Sequence, residues 1–434
     1  MKKNISIWWI RRDIRLHDNA CLKKALSEGK RVLPVFIFDR TILDHLPADD
    51  ARVTFIHREL SALKVELERL GSTLWSHYGT PQSAFEQLLS EFDIDTVFLN
   101  RDYEPYALER DQSIMKLLQM RGVSMVGAKD SVVFEKSEVV KDDGTPYTVF
   151  TPYSKKWLAT WTKNPQVPHD YNVEDLFEPM SPYSMISLSD MGFRESTLTY
   201  PPKDVKTELL RKYAQSRDIP SEKGTSRISI HLRFGTVSIR QMVKLAMDQG
   251  ADVWLNELIW RDFYQMILHH FPYSAERSFK PAYDRIPWIN NEADFQKWCK
   301  GETGFTLVDA GMRELNATGF MHNRVRMLTA SFLTKHLLID WRWGERYFAE
   351  KLLDFDLASN IGGWQWAAGS GCDAAPYFRV FSPASQQDKF DPNYLYVRKW
   401  VPEYGTASYP PPMVDHSKAR QRAIDVYKRA LASV

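Results

Sequence analysis

Two architectures in series are predicted for this 434-residue chain: an α/β domain with a doubly wound parallel sheet, followed by an all-α domain. Three observations predict them. Five short apolar, β-branched runs alternate with helical patterns before residue 130; a Pro-punctuated stretch follows; and long segments of helical periodicity occupy the remainder. The length agrees, because so long a chain exceeds one compact core.

The strands are read at Ile5–Ile10, Val32–Phe38, Thr73–Ser76, Thr96–Leu99 and Val123–Val126. The opening MKKNISIWWIRRDIRL meets charge again at Arg11 and Arg12. Its apolar run is too short for a signal peptide and reads as a buried first strand. The clearest helix of this half is Ala51–Leu70. Strands alternating with helices imply right-handed crossovers over residues 1–130, without an early GxGxxG dinucleotide fingerprint. Residues 131–200 hold Pro146, Pro152, Pro165, Pro168, Pro179 and Pro182 among many Ser, Asp and Tyr, which reads as an inter-domain connector laid over the surface. From 201 to 434 the periodicity is helical, notably Ala251–His270, Arg324–Leu338 and Ser417–Leu431.

Composition sets the class. Hydrophobic residues make up 44% and charged residues 26%, as in a soluble globular protein. No run of about 18 apolar residues predicts a transmembrane helix. Cys21, Cys299 and Cys372 lie far apart, so neither a disulfide framework nor a metal site is expected, and a reducing cytoplasm fits. The net charge of +2 is uneven: residues 201–434 carry 32 Lys and Arg against 26 Asp and Glu, and the first 150 residues hold only 3 of 14 Trp. A basic, aromatic half suits nucleic acid, with cations for phosphates and rings for bases; composition alone favours the blander reading, a Trp-rich helical core with solvated charges.

Four segments carry candidate chemistry. Gly224-Thr225-Ser226-Arg227-Ile228-Ser229 reads either as phosphate ligands, with small residues, hydroxyls and one guanidinium, or as a helix-capping loop. Trp254, Glu257, Trp260, Arg261 and Tyr264 recur near one helix face. A Glu there is costly if buried without a partner; it either binds a heterocycle or pairs with a neighbour. In TGFMHNRVRM, Arg324 and Arg326 are two apart and point differently on a helix, one outward to a phosphate and one inward to Asp354 or Asp356; a solvated basic turn is the bland alternative. DFDLASNIGGWQWAAGSGCDAAPYFR, from Asp354 to Arg379, sets Trp364 and Trp366 two apart among small residues. Such a pair faces two sides of a helix, and large flat rings among small residues suggest a cavity for a flat ligand. Its Gly369-x-Gly371-x-x-Ala374 is not a dinucleotide motif, since no strand precedes it. Nothing in the sequence makes neighbours of Trp288, Trp341 and Trp364.

Together with WIRRDIRLHDNACL and GTPYTVFTPYSKKW, the segments NELIWRDFY, TGFMHNRVRM and DFDLASNIGGWQWAAGSGCDAAPYFRVFSP resemble, in order, those of the photolyase/cryptochrome family, most closely its bacterial enzymes that split cyclobutane pyrimidine dimers. The resemblance covers nearly the whole chain. It implies FAD held in the helical domain: Tyr213 and Thr225–Ser229 (with Ser226, Arg227 and Ile228) at its phosphates and ribose; Trp254, Arg261, Asn323, Arg326, Asp354 and Asp356 around the flavin; Asn360 facing flavin N5. It implies light-driven repair of UV-damaged DNA, with the excited reduced flavin lending an electron to the dimer. Glu257, Asn323 and Met327 would touch the flipped dimer, Trp260 and Trp366 would pack against it, and Arg217, Arg324, Arg379 and Gln386 would lie along the strand. Photolyases are themselves a standard instance of base flipping. Trp364, Trp341 and Trp288 align with the electron-transfer chain that reduces the resting flavin.

The resemblance further implies a cytoplasmic monomer with no membrane and no obligate protein partner. Tyr106-Ala107 stands where folate-binding relatives carry Asn-Glu, so a second, light-harvesting chromophore is left open between folate, deazaflavin, another flavin and none. Asn360, and His322-Asn323 where enzymes for 6-4 photoproducts carry His-His, set the chain apart from plant photoreceptors and from those enzymes.

Overall fold

The computed structural model describes residues 4–28, 31–171, 173, 177 and 180–432. Backbone contacts divide the chain into two units. One holds Met1–Glu135, Thr160–Asp204 and Ile228–Asp248; the other holds Lys136–Ala159, Val205–Arg227 and Gln249–Val434.

In the first unit β1 (Asn4–Ile10), β2 (Val32–Asp39), β3 (Trp75–Gly79), β4 (Asp93–Asn100) and β5 (Ser124–Ala128) form one parallel sheet. Its order is β3-β2-β1-β4-β5. All five expected strands exist. Every residue of β2 is buried, the mark of a parallel strand covered on both faces. Pro34 is tolerated inside it because pairing with β3 begins only at Val35, which leaves that stretch one strand neighbour short. Between the strands run α1 (Ala20–Ser27), α2 (Ala51–Arg69), α3 (Pro81–Glu91) and α4 (Pro105–Gln119). Asn19, Asp50 and Thr80 cap the first three through side-chain oxygens, and Pro81 and Pro105 occupy first-turn positions whose N–H is unused.

The chain reverses direction across the sheet between β1 and β4, where ligand crevices of such sheets open. Here that end is laced with polar bonds. Asn100 donates to Asp13 at 2.7 Å and to Asn19 at 2.8 Å. Arg11 pairs with Asp111 at 2.5 Å, and Arg12 with Asp102 at 3.1 Å.

The stretch 131–200, expected as a connector laid over the surface, is not all loop. It contains helix α5 (Phe150–Lys163), with Tyr153 and Trp157 buried. The Trp157 indole donates to Asp262 at 3.0 Å. Aromatic residues four apart supply the buried stripe that the prolines concealed. Further on, Phe177, Met191 and Phe193 join a core of the first unit; residues 172, 174–176, 178 and 179 of this stretch lie outside the described residues.

The described part of the second unit is helical. Its frame is α6 (Thr207–Ser216), α7 (Asp252–His270), α8 (Thr306–Thr318), α9 (Asn323–Ser331), α10 (Trp341–Lys351), α11 (Leu357–Ala368) and α12 (His416–Ala432). The helix expected over Arg324–Leu338 ends as a π-helical turn, Phe332–His336. The main core joins Trp298, Met312, Leu328, Phe332, Trp341, Phe348 and Trp364. Asp309 is fully buried and accepts from Thr303, Gly304 and Tyr409.

Two outcomes follow. Gly235 has φ +64°, and a Cβ there would stand 2.0 Å from the Arg12 carbonyl oxygen. Gly235→Ala therefore costs more than the roughly 1–2 kcal/mol of the left-handed backbone alone, read as a lower denaturant midpoint. His336 is fully buried, 2.8 Å from the His416 ring nitrogen, and burial pulls its pKa down to about 3. Unfolded His protonates near 6.5; the unfolded state then binds the extra proton, so stability falls as pH drops from about 6.5 toward 3. His336→Leu should flatten that fall in thermal unfolding scans.

Candidate functional site

Helix α7 presents Trp254, Glu257, Trp260, Arg261 and Tyr264. Trp254 is buried, and its indole donates to Ser226 at 3.3 Å. The Glu257 carboxylate accepts from Arg217 at 2.5 Å, and the Arg217 guanidinium lies 5.4 Å from the centre of the Tyr213 ring. Glu257 is therefore paired. Burial still lifts its pKa above the usual carboxylate range, with Arg217 opposing. Trp260 stacks on Phe150, ring centres 3.8 Å apart and 6° from parallel. Arg261 is half-buried on the same helix.

The loop before Ile228 has a constrained backbone. A Cβ at Gly224 would stand 2.4 Å from the Ser216 carbonyl oxygen, so only glycine lets loop and helix approach this closely. Arg227 has φ +52°, a left-handed conformation that a side chain adopts at a cost of about 1–3 kcal/mol and that gathers at functional sites. Its guanidinium lies 4.0 Å from the Phe320 ring centre and 3.8 Å from Glu314. Thr225, Ser226 and Arg227 belong to the second unit; Ile228 and Ser229 begin a stretch counted with the first.

Helix α9 separates its two arginines as expected. Arg324 pairs with Asp218 at 2.7 Å and covers the Phe390 ring at 4.4 Å. Arg326 pairs with Asp354 at 3.1 Å and donates to the Met321 carbonyl at 2.7 Å. Asn323 is exposed and lies 3.9 Å from the Met327 sulfur. His322 caps the helix by accepting from the Arg324 amide at 3.2 Å. Burial pulls its pKa to about 4, so it is neutral near pH 7.

Helix α11 opens on Asp356. Its carboxylate caps the helix at the Ser359 amide and also accepts from Gln265 of α7, each at 3.1 Å. One turn on, Asn360 donates to the Glu345 carboxylate at 2.8 Å and to its carbonyl at 3.1 Å; burial raises the Glu345 pKa. Trp364 is buried against α10, where a Cβ at Gly344 would stand 2.1 Å from its ring. Its rings meet Phe348 at 4.9 Å and Trp298 at 6.1 Å. Trp341 shares that core, with Trp288 packed against it; Trp288 also meets Tyr427 at 6.0 Å. Trp366 faces Phe381 at 6.4 Å. The helix ends at Gly369, φ +88°, so the GxGxxA string closes a helix rather than opening one. Beyond it Arg379 is exposed and Gln386 half-buried.

The structure thus joins Arg217 to Glu257, Ser226 to Trp254, and Arg326 to Asp354. It adds partners that sequence reasoning did not name: Glu345 for Asn360, Gln265 for Asp356, Asp218 for Arg324, Glu314 for Arg227, and Phe150 for Trp260. Only Phe150 carried a signal, as part of the GTPYTVF segment; the other four lie outside the segments that marked the site. In the first unit the Tyr106 hydroxyl donates to Asp39. The donor set of the second unit fits a dinucleotide flavin: hydroxyls and a strained Arg at one loop, and a held amide and ion-paired Arg326 beside buried rings.

Comparison with known proteins agrees. Residues 6–170 match the DNA photolyase family and residues 254–408 the FAD binding domain of DNA photolyase. A deoxyribodipyrimidine photo-lyase of Vibrio cholerae is 37% identical, over 97% of this chain and 99% of that protein. The crystal structure of a bacterial class III photolyase from Agrobacterium tumefaciens has a TM-score of 0.88 at 33% identity, covering 100% of this chain and 99% of the other. That of an archaeal photolyase from Sulfolobus tokodaii, with two FAD molecules, has a TM-score of 0.83 at 33% identity, covering 98% and 100%. With both halves matched and relatives aligned from end to end, the chain belongs to the DNA photolyase family.

Proposed function

We propose that Glu257, Trp260 and Asn360 form the centre at which this enzyme repairs cyclobutane pyrimidine dimers in UV-damaged DNA. The chain is a light-dependent DNA-repair lyase that works with FAD. The observation that carries the assignment is the Asp356 carboxylate, which joins the helix bearing Glu257 and Trp260 to the helix bearing Asn360 and Trp364.

Tyr213, Thr225, Ser226, Arg227, Ile228 and Ser229 hold the phosphates and ribose of FAD. Trp254, Arg261, Asn323, Arg326, Asp354, Asp356 and Asn360 line its ring. When bound and reduced, FAD supplies an electron upon absorbing blue light. The protein's share is positioning, exclusion of water and fixed dipoles. Glu345 holds the Asn360 amide by its N–H, so the Asn360 oxygen is presented in one orientation. Arg326, anchored on Asp354, adds a cation that needs no reorganisation. Trp260, backed by Phe150, and Trp366 offer ring faces to the flipped bases. Glu257 touches their polar edges, with Asn323 and Met327 beside it. Arg217, Arg324, Arg379 and Gln386 follow the phosphates, giving binding that is salt-sensitive and nearly sequence-independent. Trp364, Trp341 and Trp288 would form the route by which an electron from a reductant in solution reaches the resting cofactor. The enzyme acts as a cytoplasmic monomer, and the identity of a light-harvesting second chromophore stays open.

The test of the activity uses the purified protein with reduced FAD and oligothymidine carrying cyclobutane dimers. Absorbance at the thymine band should recover under blue light and stay flat in the dark; flat traces in both would reject dimer repair. Glu257→Ala should keep FAD and lose about tenfold or more in repair yield, the scale of one charge-assisted hydrogen bond.

A further inference from the structure

Lys335 lies in the π-helical turn Phe332–His336 and is only 2% exposed. Among the described residues its ammonium makes one polar contact, donating to the Arg379 carbonyl at 2.9 Å. No carboxylate pairs with it among the described residues, and burial, with the charge of Arg379, draws its pKa down to about 8. A buried ammonium with one neutral acceptor is costly, and an apolar side chain of similar length would pack there more cheaply. The group it holds is the backbone of an exposed segment. Arg379 itself faces solvent, and its amide closes a turn onto Pro376 at 2.9 Å. Two residues earlier Tyr377 stacks on Tyr427 of α12, centres 5.9 Å apart and 16° from parallel. The turn that carries Lys335 is anchored to the same helix: His336 meets His416, and Arg422 donates to the His336 carbonyl at 2.5 Å. The segment therefore meets α12 through the Tyr377 stack and the π-helical turn through the Lys335 hydrogen bond.

We propose that Lys335 is a positioning residue for nucleic-acid binding: its bond to the Arg379 carbonyl fixes the Arg379 segment at the height where that guanidinium meets a DNA phosphate. A π-turn suits this task, since its extra residue re-aims a side chain that a regular helix would direct elsewhere. The inference rests on the reading above that Arg379 lies along the DNA strand.

The experiment is a double-mutant cycle on the FAD-loaded enzyme, with Lys335→Met, Arg379→Ala and both together, binding a dimer-containing oligonucleotide at several salt concentrations. Lys335→Met keeps length and loses the donor. It should weaken binding about tenfold, lower the salt slope by about one as a phosphate contact disappears, and leave repair yield at saturating DNA unchanged. Added to Arg379→Ala it should cost almost nothing more. Lys335→Gln, which keeps a donor, should recover part of the affinity and serves if the Met variant fails to fold. Wild-type affinity in Lys335→Met beside a weakened Arg379→Ala would overturn the inference, as would losses of Lys335→Met or Lys335→Gln that add fully to that of Arg379→Ala. An Arg379→Ala enzyme that binds DNA like the wild type would instead remove the placement of the DNA strand, and the inference with it.

Discussion

The second unit turns on the Asp356 carboxylate. It terminates the first turn of α11 at the Ser359 amide and binds both Gln265 contacts from α7. A helix N-terminus needs an acceptor for its free N–H groups and favours negative charge. Placing that acceptor against a second helix makes one group serve two elements. Gly362 lets the same helices approach, since a Cβ there would stand 2.2 Å from the Tyr264 ring. Asn360 and Trp364 follow from α11, Glu257 and Trp260 from α7, and their mutual placement depends on that junction.

Around it the charges are compensated pair by pair. Arg326 has Asp354, Arg217 has Glu257 and Arg324 has Asp218. Partly exposed pairs of this kind contribute little stability. Their value is orientation: each holds a guanidinium and a carboxylate in one place. The same holds at Asn360, whose amide is held by the Glu345 carboxylate and carbonyl. Where the backbone itself is strained, at Arg227, the strain falls in the loop whose hydroxyls and guanidinium suit a phosphate.

Much of the fold was legible in the sequence because the physics behind it is local. The β-branched runs gave five strands at nearly the expected positions, and full burial of β2 made its apolar run unbroken rather than alternating. Helix α7 was readable within one residue of its ends. Helix α5 was not, because prolines around it outweighed the two aromatic residues that bury it. The π-helical turn after α9 was also hidden, since one inserted residue leaves apolar spacing almost unchanged. For the site, motif order marked Glu257, Asn360, Arg326 and Trp364 as residues of interest.

By itself, the sequence determined the two architectures, the family resemblance and the residue types gathered for flavin and nucleic acid. These follow from periodicity and motif order, which are properties of neighbours along the chain. Only the tertiary structure decided which groups are paired and which are presented. Glu345 and Asn360 stand 15 residues apart, Gln265 and Asp356 stand 91 apart, and Lys335 and Arg379 stand 44 apart. No local pattern encodes such partners, because a hydrogen bond constrains distance in space and leaves separation in sequence free.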